Sequence, residues 1–151
     1  MTSSPEAGRQ AAAPTAADGA LVDAIAQLSF AVQFVLIEVG ALHDLSVTQV
    51  RLLGILRDRT GSMGELAGYL RLDKSSVTGL VSRAEARDLV RRARRPGDGR
   101  GVQVVITERG ADLAAQVHRE VAARLLSLTG TLDVAERSTL TALIDRMINV
   151  G

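Results

Sequence analysis

Apolar positions along the chain fall into stretches of helical period with one extended interruption. From Ala20 to about Ala41, the residues Leu21, Val22, Ile25, Leu28, Phe30, Val32, Phe34, Val35, Ile37 and Val39 leave almost no polar face. A helix of that kind is covered on most sides. One small domain rarely supplies such cover, so the pattern predicts a partner subunit. The last stretch, Val134 to about Val150, carries Leu140, Leu143, Ile144, Met147 and Ile148 and is again more apolar than an exposed terminus should be. Residues 1–19 are rich in Ala, Pro, Ser, Thr and Gly without an apolar period and are expected to form a disordered tail.

Four helix starts carry cap chemistry, in which a side-chain oxygen takes an orphan amide and a residue three positions on reaches back. Ser46 with Gln49 opens a helix through Val50, Leu53 and Leu56. Ser62 with Glu65 opens a short one through Leu66, Ala67 and Leu70. Asp73 with Ser76 opens a third over 74–87, and Asp133 with Glu136 opens the last. Gly61 is expected to stop the first of these, because glycine takes a positive φ without a Cβ clash. After Arg87 the period becomes extended: Leu89-Val90, the turn residues Pro96-Gly97-Asp98-Gly99, then Val102-Gln103-Val104-Val105-Ile106 predict a β-hairpin with Arg95 and Arg100 at its tip. Thr107 then caps a helix to about Leu128, with Leu113, Val117, Val121 and Leu125 on one face and Gly130 ending it. No internal repeat is present.

Composition narrows the function classes. At 151 residues the chain has room for one domain with a real core. It contains no cysteine, which excludes disulfides, thiolate catalysis and thiol redox sensing. Mean hydropathy is +0.16, a surplus of apolar surface for a polar monomer. The longest apolar run, Leu28 to Leu42, is broken by Gln33 and Glu38 and reads as too short to span a bilayer, so no membrane partner and a cytoplasmic location are expected. The net charge of +1 hides a strong local pattern. Residues 71–100 hold nine basic groups against four acidic ones, and eight of the nine are Arg. Arginine suits bidentate contact with phosphates and guanine edges.

That charge sits on a specific order of elements. A short helix at 63–70, the link Arg71-Leu72-Asp73 and a helix at 74–87 are followed at once by the basic hairpin, which is the order of a winged helix-turn-helix. In such a unit the second helix lies in the major groove and the hairpin reaches flanking backbone or minor groove. Val77, Leu80, Val81 and Ala84 form the buried stripe of that helix. Ser75, Thr78, Gly79 and Ser82 then face outward, Ser76 and Arg83 lie at the edges, and Lys74 stands at the start. With Arg95, Asp98 and Arg100 of the hairpin, these are the predicted DNA-contacting residues.

The stretches LSVTQVRLLGIL, MGELAGYLRLDKSSVTGLVSRAEARDLVRR and RPGDGRGVQVVITERG resemble the multiple-antibiotic-resistance regulators, the MarR family. The likeness covers residues 45–110 by motif and the remainder by helix pattern. It implies a mainly α fold with a small β-hairpin wing: one domain over 20–151, with a winged helix-turn-helix lobe at 45–107 and dimerisation helices at 20–44 and 108–151. It also implies a homodimer on a pseudo-palindromic double-stranded operator, acting as a repressor, with half-sites about 10 bp apart. By the same resemblance Arg100 enters the minor groove and Asp98 holds the wing by pairing with a nearby Arg; a plain turn role for Asp98 is the alternative. Gly79 stands where many relatives carry Arg. Arg71 and Asp88 replace helix-ending glycines, so each is expected in a left-handed or adjusted geometry.

Relatives of this kind respond to small phenolic or carboxylated molecules bound between the dimer helices and the winged lobe. Phe30, Phe34, His43 and Arg51 are the candidate ligand residues here, although Phe30 and Phe34 equally suit a core and His43 a helix end. An activator or a ligand-independent regulator of the same fold and a winged-helix adaptor for proteins are the rival binding functions, and the Arg-rich wing speaks against the adaptor. An enzyme is not indicated. His43 and His118 lie in different helices, no paired carboxylates stand beside a histidine, and no glycine-rich phosphate loop follows a strand. The same residues offer no metal-ligand spacing, and no cofactor is expected.

Overall fold

Side-chain caps set where the helices of this protein begin, as a computed structural model describing residues 15–97 and 100–149 shows. Ser46, Ser62 and Asp133 each accept the amide three residues on, while Gln49, Glu65 and Glu136 return the bond to the cap backbone. Asp73 and Thr107 accept from Ser76 N and Gly110 N. The helices that follow are α2 (Val47–Asp58), α3 (Met63–Leu70), α4 (Lys74–Ala86), α5 (Glu108–Leu128) and α6 (Val134–Ile148). A further cap was not foreseen. Thr15 Oγ1 accepts from Asp18 N while the Asp18 carboxylate takes the Thr15 N–H at 2.8 Å. Helix α1 therefore runs Ala16–Leu42, and residues 16–19, expected in the tail, belong to it; residues 1–14 lie outside the described residues.

At 27 residues, α1 is longer than its apolar run suggested. By length and composition it could cross a membrane, and only 6% of its most apolar window is buried. The stretch Leu28–Leu42, expected to be too short, is thus the second part of a longer helix that meets the length by including Leu21, Val22 and Ile25. The chain divides into two units, one ending at Val32 and one beginning at Gln33. The first is described from Thr15 onward and consists of the opening of α1.

The second unit holds the core. Val39, Leu52, Leu66, Val77, Val81 and Val104 have no exposed surface, and Leu53, Leu56, Leu70, Leu80, Leu89 and Val90 are nearly as covered. Each such side chain contributes about 1.5–3 kcal/mol by leaving water. Strands β1 (Gly61–Ser62), β2 (Val90–Arg94) and β3 (Val102–Ile106) form an antiparallel sheet in the order β1-β3-β2, with Val90 opposite Ile106 and Arg94 opposite Val102. The hairpin is the predicted one; the third strand is not. Gly61 pairs with Val104 and is not among the positive-φ residues, so it extends a strand instead of stopping α2. Likewise α5 is capped at Thr129, one residue before Gly130.

Arg71 and Asp88 do take left-handed backbones, with φ of 54° and 56°, and Asp44 joins them at 53°. Gly97 turns the wing at φ 79°. Gly110 is required for a different reason. A Cβ there would stand 1.9 Å from the Leu89 carbonyl oxygen, the same oxygen that accepts the Thr107 N–H at 3.1 Å. Gly110→Ala is expected to destabilise the fold by about 3 kcal/mol. Urea unfolding measures it; a midpoint equal to wild type would mean that the backbone at Leu89 and α5 part freely.

Candidate nucleic-acid interface

The interface is built outward from Asp73. Arg71, in its left-handed backbone, ends α3 with its N–H on the Ala67 and Gly68 carbonyls, and two residues later Asp73 opens α4. One Asp73 oxygen accepts Ser76 N at 2.8 Å and Ser75 Oγ at 2.5 Å; the other accepts Ser76 Oγ at 2.6 Å. The two serine hydroxyls, followed by the Ser76 amide, hold the Asp73 carboxyl well below the usual carboxylate range. Ser75 and Ser76 thus spend their hydroxyl protons within the cap, leaving their oxygen lone pairs as acceptors. Thr78 does the same, donating to the Lys74 carbonyl at 2.8 Å.

The rest of α4 is laid out as its apolar stripe requires. Val77, Leu80, Val81 and Ala84 are buried, while Lys74, Ser75, Ser76, Thr78, Ser82 and Arg83 are exposed and Gly79 is half-buried. The Arg83 guanidinium folds back along the helix. One of its nitrogens lies 3.2 Å from where a Gly79 Cβ would be. Ser46 and Thr48 at the start of α2 join Ser75, Ser76, Gly79 and Arg83 around a polar groove of about 390 Å³. Sequence reasoning missed these two. Their signal was the capping box at Ser46, which marks a second helix start but says nothing of its place beside α4.

The wing is anchored to both helices of the helix-turn-helix. Arg92 of β2 pairs with Glu85 of α4, its N–H also reaching Glu85 at 3.0 Å, and its guanidinium donates to Ser82 Oγ at 3.3 Å. Arg95 pairs with Glu65 of α3 at 3.3 Å. Glu65 sits below the usual carboxylate range, first because the Ser62 backbone and hydroxyl bond to it and then because Arg95 is near. Predicted contacts Ser82 and Arg95 therefore have partners within the protein, and Arg92, Glu65 and Glu85 anchor the wing, a role that the sequence did not give them. Arg100 is exposed beside the turn; Asp98, with its expected wing-holding pair, lies outside the described residues.

Of the candidate ligand residues in the second unit, Arg51 lines a cavity that neither Phe34 nor His43 lines. Phe30 and Phe34 are 71% and 60% exposed, so neither is core in this protomer. His43 Nε2 is 3.0 Å from Glu120 Oε2 of α5. That bond, with a second from Gln116, lowers the Glu120 pKa. Arg51 lines an apolar cavity of about 200 Å³ between α1, α2 and α5, walled by Leu36, Val50, Leu53, Val117 and His118. Among the described residues no cluster of three His, Asp or Glu side chains is set to hold a metal.

This arrangement, a short helix and a capped second helix with a basic hairpin pinned to both, defines a winged helix-turn-helix fold. The MarR family model matches residues 43–101. The HTH-type transcriptional repressor NicR of Pseudomonas putida is 35% identical over 110 residues, 70% of this chain and 68% of that one. The chain belongs to the MarR family of transcription regulators, which are not enzymes. Among solved structures, wild-type apo MarR from E. coli superposes with a TM-score of 0.70 at 27% identity, covering 85% of this chain and 94% of that one. NadR in complex with 4-hydroxyphenylacetate shares the fold at a TM-score of 0.73 and 21% identity, covering 95% and 99%.

Proposed function

We propose that the protein is a homodimeric repressor that grips a pseudo-palindromic double-stranded operator through α4 and the wing and releases it when a small anionic ligand binds. The observation that carries this reading is the exposed face of α4: small polar residues between Lys74 and Arg83, opened by the Asp73 cap and flanked by the anchored wing. A face of that size enters a major groove closely, and the basic groups at its edges meet phosphates or guanine. A regulator acting on the chromosome works in the cytoplasm. The test is selection of bound duplexes from a random double-stranded pool at near-physiological salt. A pseudo-palindrome with half-sites about one helical turn apart is expected; no enrichment removes the operator from the reading.

Arg100 is assigned to the wing's contact with DNA. Arg100→Ala is expected to weaken binding to all duplexes alike and to flatten the dependence of log K on log salt by about one unit for each phosphate that the guanidinium no longer neutralises. A titration at several salt concentrations decides it, and an unchanged slope takes Arg100 out of the interface.

Exposed apolar side chains support the dimer. Phe34 and Ile37 on α1, Leu126 and Leu128 at the end of α5, and Leu143, Met147 and Ile148 on α6 all lie open in the single chain, and α6 buries no residue at all. A two-fold partner covers such surface and sets two α4 helices one DNA turn apart. Sedimentation equilibrium without detergent is expected to give twice the 15.9 kDa protomer mass; a monomer at micromolar concentration, or material held only by detergent, contradicts it.

The effector reading is supported by the cavity beside Arg51. Its walls are apolar, with Arg51, Arg57 and His118 at their margin, and Arg57 is already engaged by Asp58 at 2.9 Å. A small apolar or aromatic carboxylate fits that chemistry, with its anion toward Arg51 or His118. Such a ligand releases DNA if it prefers the α4 spacing that misses the groove, a coupling of about 1–3 kcal/mol. That NadR was crystallised with 4-hydroxyphenylacetate points the same way.

A further inference from the structure

The C-terminal end of α4 carries an arginine that no DNA-facing role explains. Arg87 ends the helix with its N–H on the Ala84 and Glu85 carbonyls. Its guanidinium then spans to the corner between α1 and α2, donating from Nη1 to the Asp44 carbonyl at 2.6 Å and from Nη2 to the His43 carbonyl at 3.0 Å. These are successive main-chain oxygens, and Asp44 holds a left-handed φ of 53°. A planar fork bonded to two fixed acceptors sets orientation as well as distance.

The same corner is tied to α5. The His43 ring, 13% exposed, meets Glu120 at 3.0 Å, and the other Glu120 oxygen accepts from Gln116 at 3.1 Å. The end of α4 has its own link to the start of α5, where Thr107 Oγ1 donates to the Asp88 carbonyl at 2.7 Å. Thr107 and Glu120 stand about 20 Å apart along the helix axis. The recognition helix is therefore tied to α5 at two separated points, one of them running through Arg87, His43 and Glu120.

We propose that Arg87, His43 and Glu120 form a strut that sets the orientation of α4 against α5, making Arg87 a positioning residue for DNA binding that touches no DNA itself. The proposal rests on the reading of α4 as the recognition helix. Because α5 is one of the helices assigned to the dimer, the strut is one of the two mechanical links through which the distance between the two recognition helices is held.

Binding to the duplex selected from the random pool tests this, with helix content and melting followed in parallel. Arg87→Gln is expected to lose affinity by about tenfold while keeping the salt slope and base preference of wild type, since no phosphate or base contact is removed. Arg87→Lys is expected to recover little, because one ammonium cannot span two carbonyls in a fixed plane. Adding Glu120→Gln to Arg87→Gln is expected to cost less than Glu120→Gln costs alone, as for members of one chain of contacts. A salt slope flattened by about one unit per contact would show Arg87 on phosphate and overturn the strut. Wild-type affinity in Arg87→Gln, fully additive losses, or loss of helix content in both Arg87 variants would also overturn it. A wild-type protein that selects no duplex overturns the operator reading and the strut together, whereas a binding wild type with unaffected Arg87 variants overturns the strut alone.

Discussion

Arg83→Ala is expected to cost about 1–3 kcal/mol of binding free energy at each half-site and to relax preference at one base pair in each. Arg83 is the basic residue of the last turn of α4, and it lies on the exposed face beside Gly79. The neighbouring side chains on that face are short. Ser75, Ser76 and Thr78 have already given their hydroxyl protons to the protein, so donors that reach base edges must come from longer groups. A guanidinium offers two parallel N–H groups to the O6 and N7 of guanine, and its loss leaves those acceptors dry and unpaired. Gly79→Ala makes the control. Alanine favours the helix by about 1 kcal/mol over glycine, but its Cβ would sit 3.2 Å from the Arg83 guanidinium and move it. That variant is expected to melt higher than wild type and to select a different base where Arg83 reads. Duplex selection with both variants decides the matter, and an unaltered motif at unaltered affinity would remove Arg83 from base reading.

Asp73→Ala is expected to abolish selective binding while leaving the remainder of the protein folded. The Asp73 carboxylate gathers the first turn of α4 by three bonds, and alanine leaves the Ser76 amide and two hydroxyls to water. The first turn then frays, carrying Lys74, Ser75 and Ser76 out of register with the groove, and preorganisation of the readers is lost. Asp73→Asn keeps one acceptor for the amide and is expected to bind close to wild type at neutral pH. The acid side separates the two further. The folded Asp73 pKa lies below its ordinary value of 3.8, so its stabilisation is fully present above that value and is lost as pH falls through the lower folded one. Stability between pH 5 and 8 is therefore flat with respect to this group, and below pH 4 the wild type is expected to lose stability more steeply than Asp73→Asn. Circular dichroism during acid titration checks this; parallel curves for the two proteins would show that the carboxylate is not held by the cap.

The local chemistry of this chain is legible in its residues alone. Ser46, Ser62, Asp73, Thr107 and Asp133 cap helices because each bond closes within three residues, and such bonds need no tertiary contact to be foreseen. The buried stripe of α4 follows from its period, and the two strands of the wing from alternation and turn residues. The left-handed backbones at Arg71 and Asp88 were foreseeable only through the family resemblance, which places helix-ending glycines at those positions. The start of α1 is equally local but escapes the hydrophobic pattern, since the Ala-rich stretch before Ala20 has no apolar period and the cap at Thr15 stands ahead of it.

What escapes the sequence lies at long separation. Strand β1 has two residues, too few for alternation, and exists only because Gly61 meets Val104 across the sheet. The anchoring of Arg95 by Glu65, the hold of Arg87 on the carbonyls of residues 43 and 44, and the pairing of His43 with Glu120 join positions from 30 to 77 residues apart. Composition locates the basic charge within residues 71–100, but which arginines brace the fold and which face outward depends on acidic partners brought from α3 and α4. By itself the sequence determined the helices from α2 onward with their caps, the buried stripe of α4 and the family. Only the tertiary structure decided how the wing and the end of α4 are held, because a side chain's partner across the fold is set by packing of the whole core and not by the residues beside it.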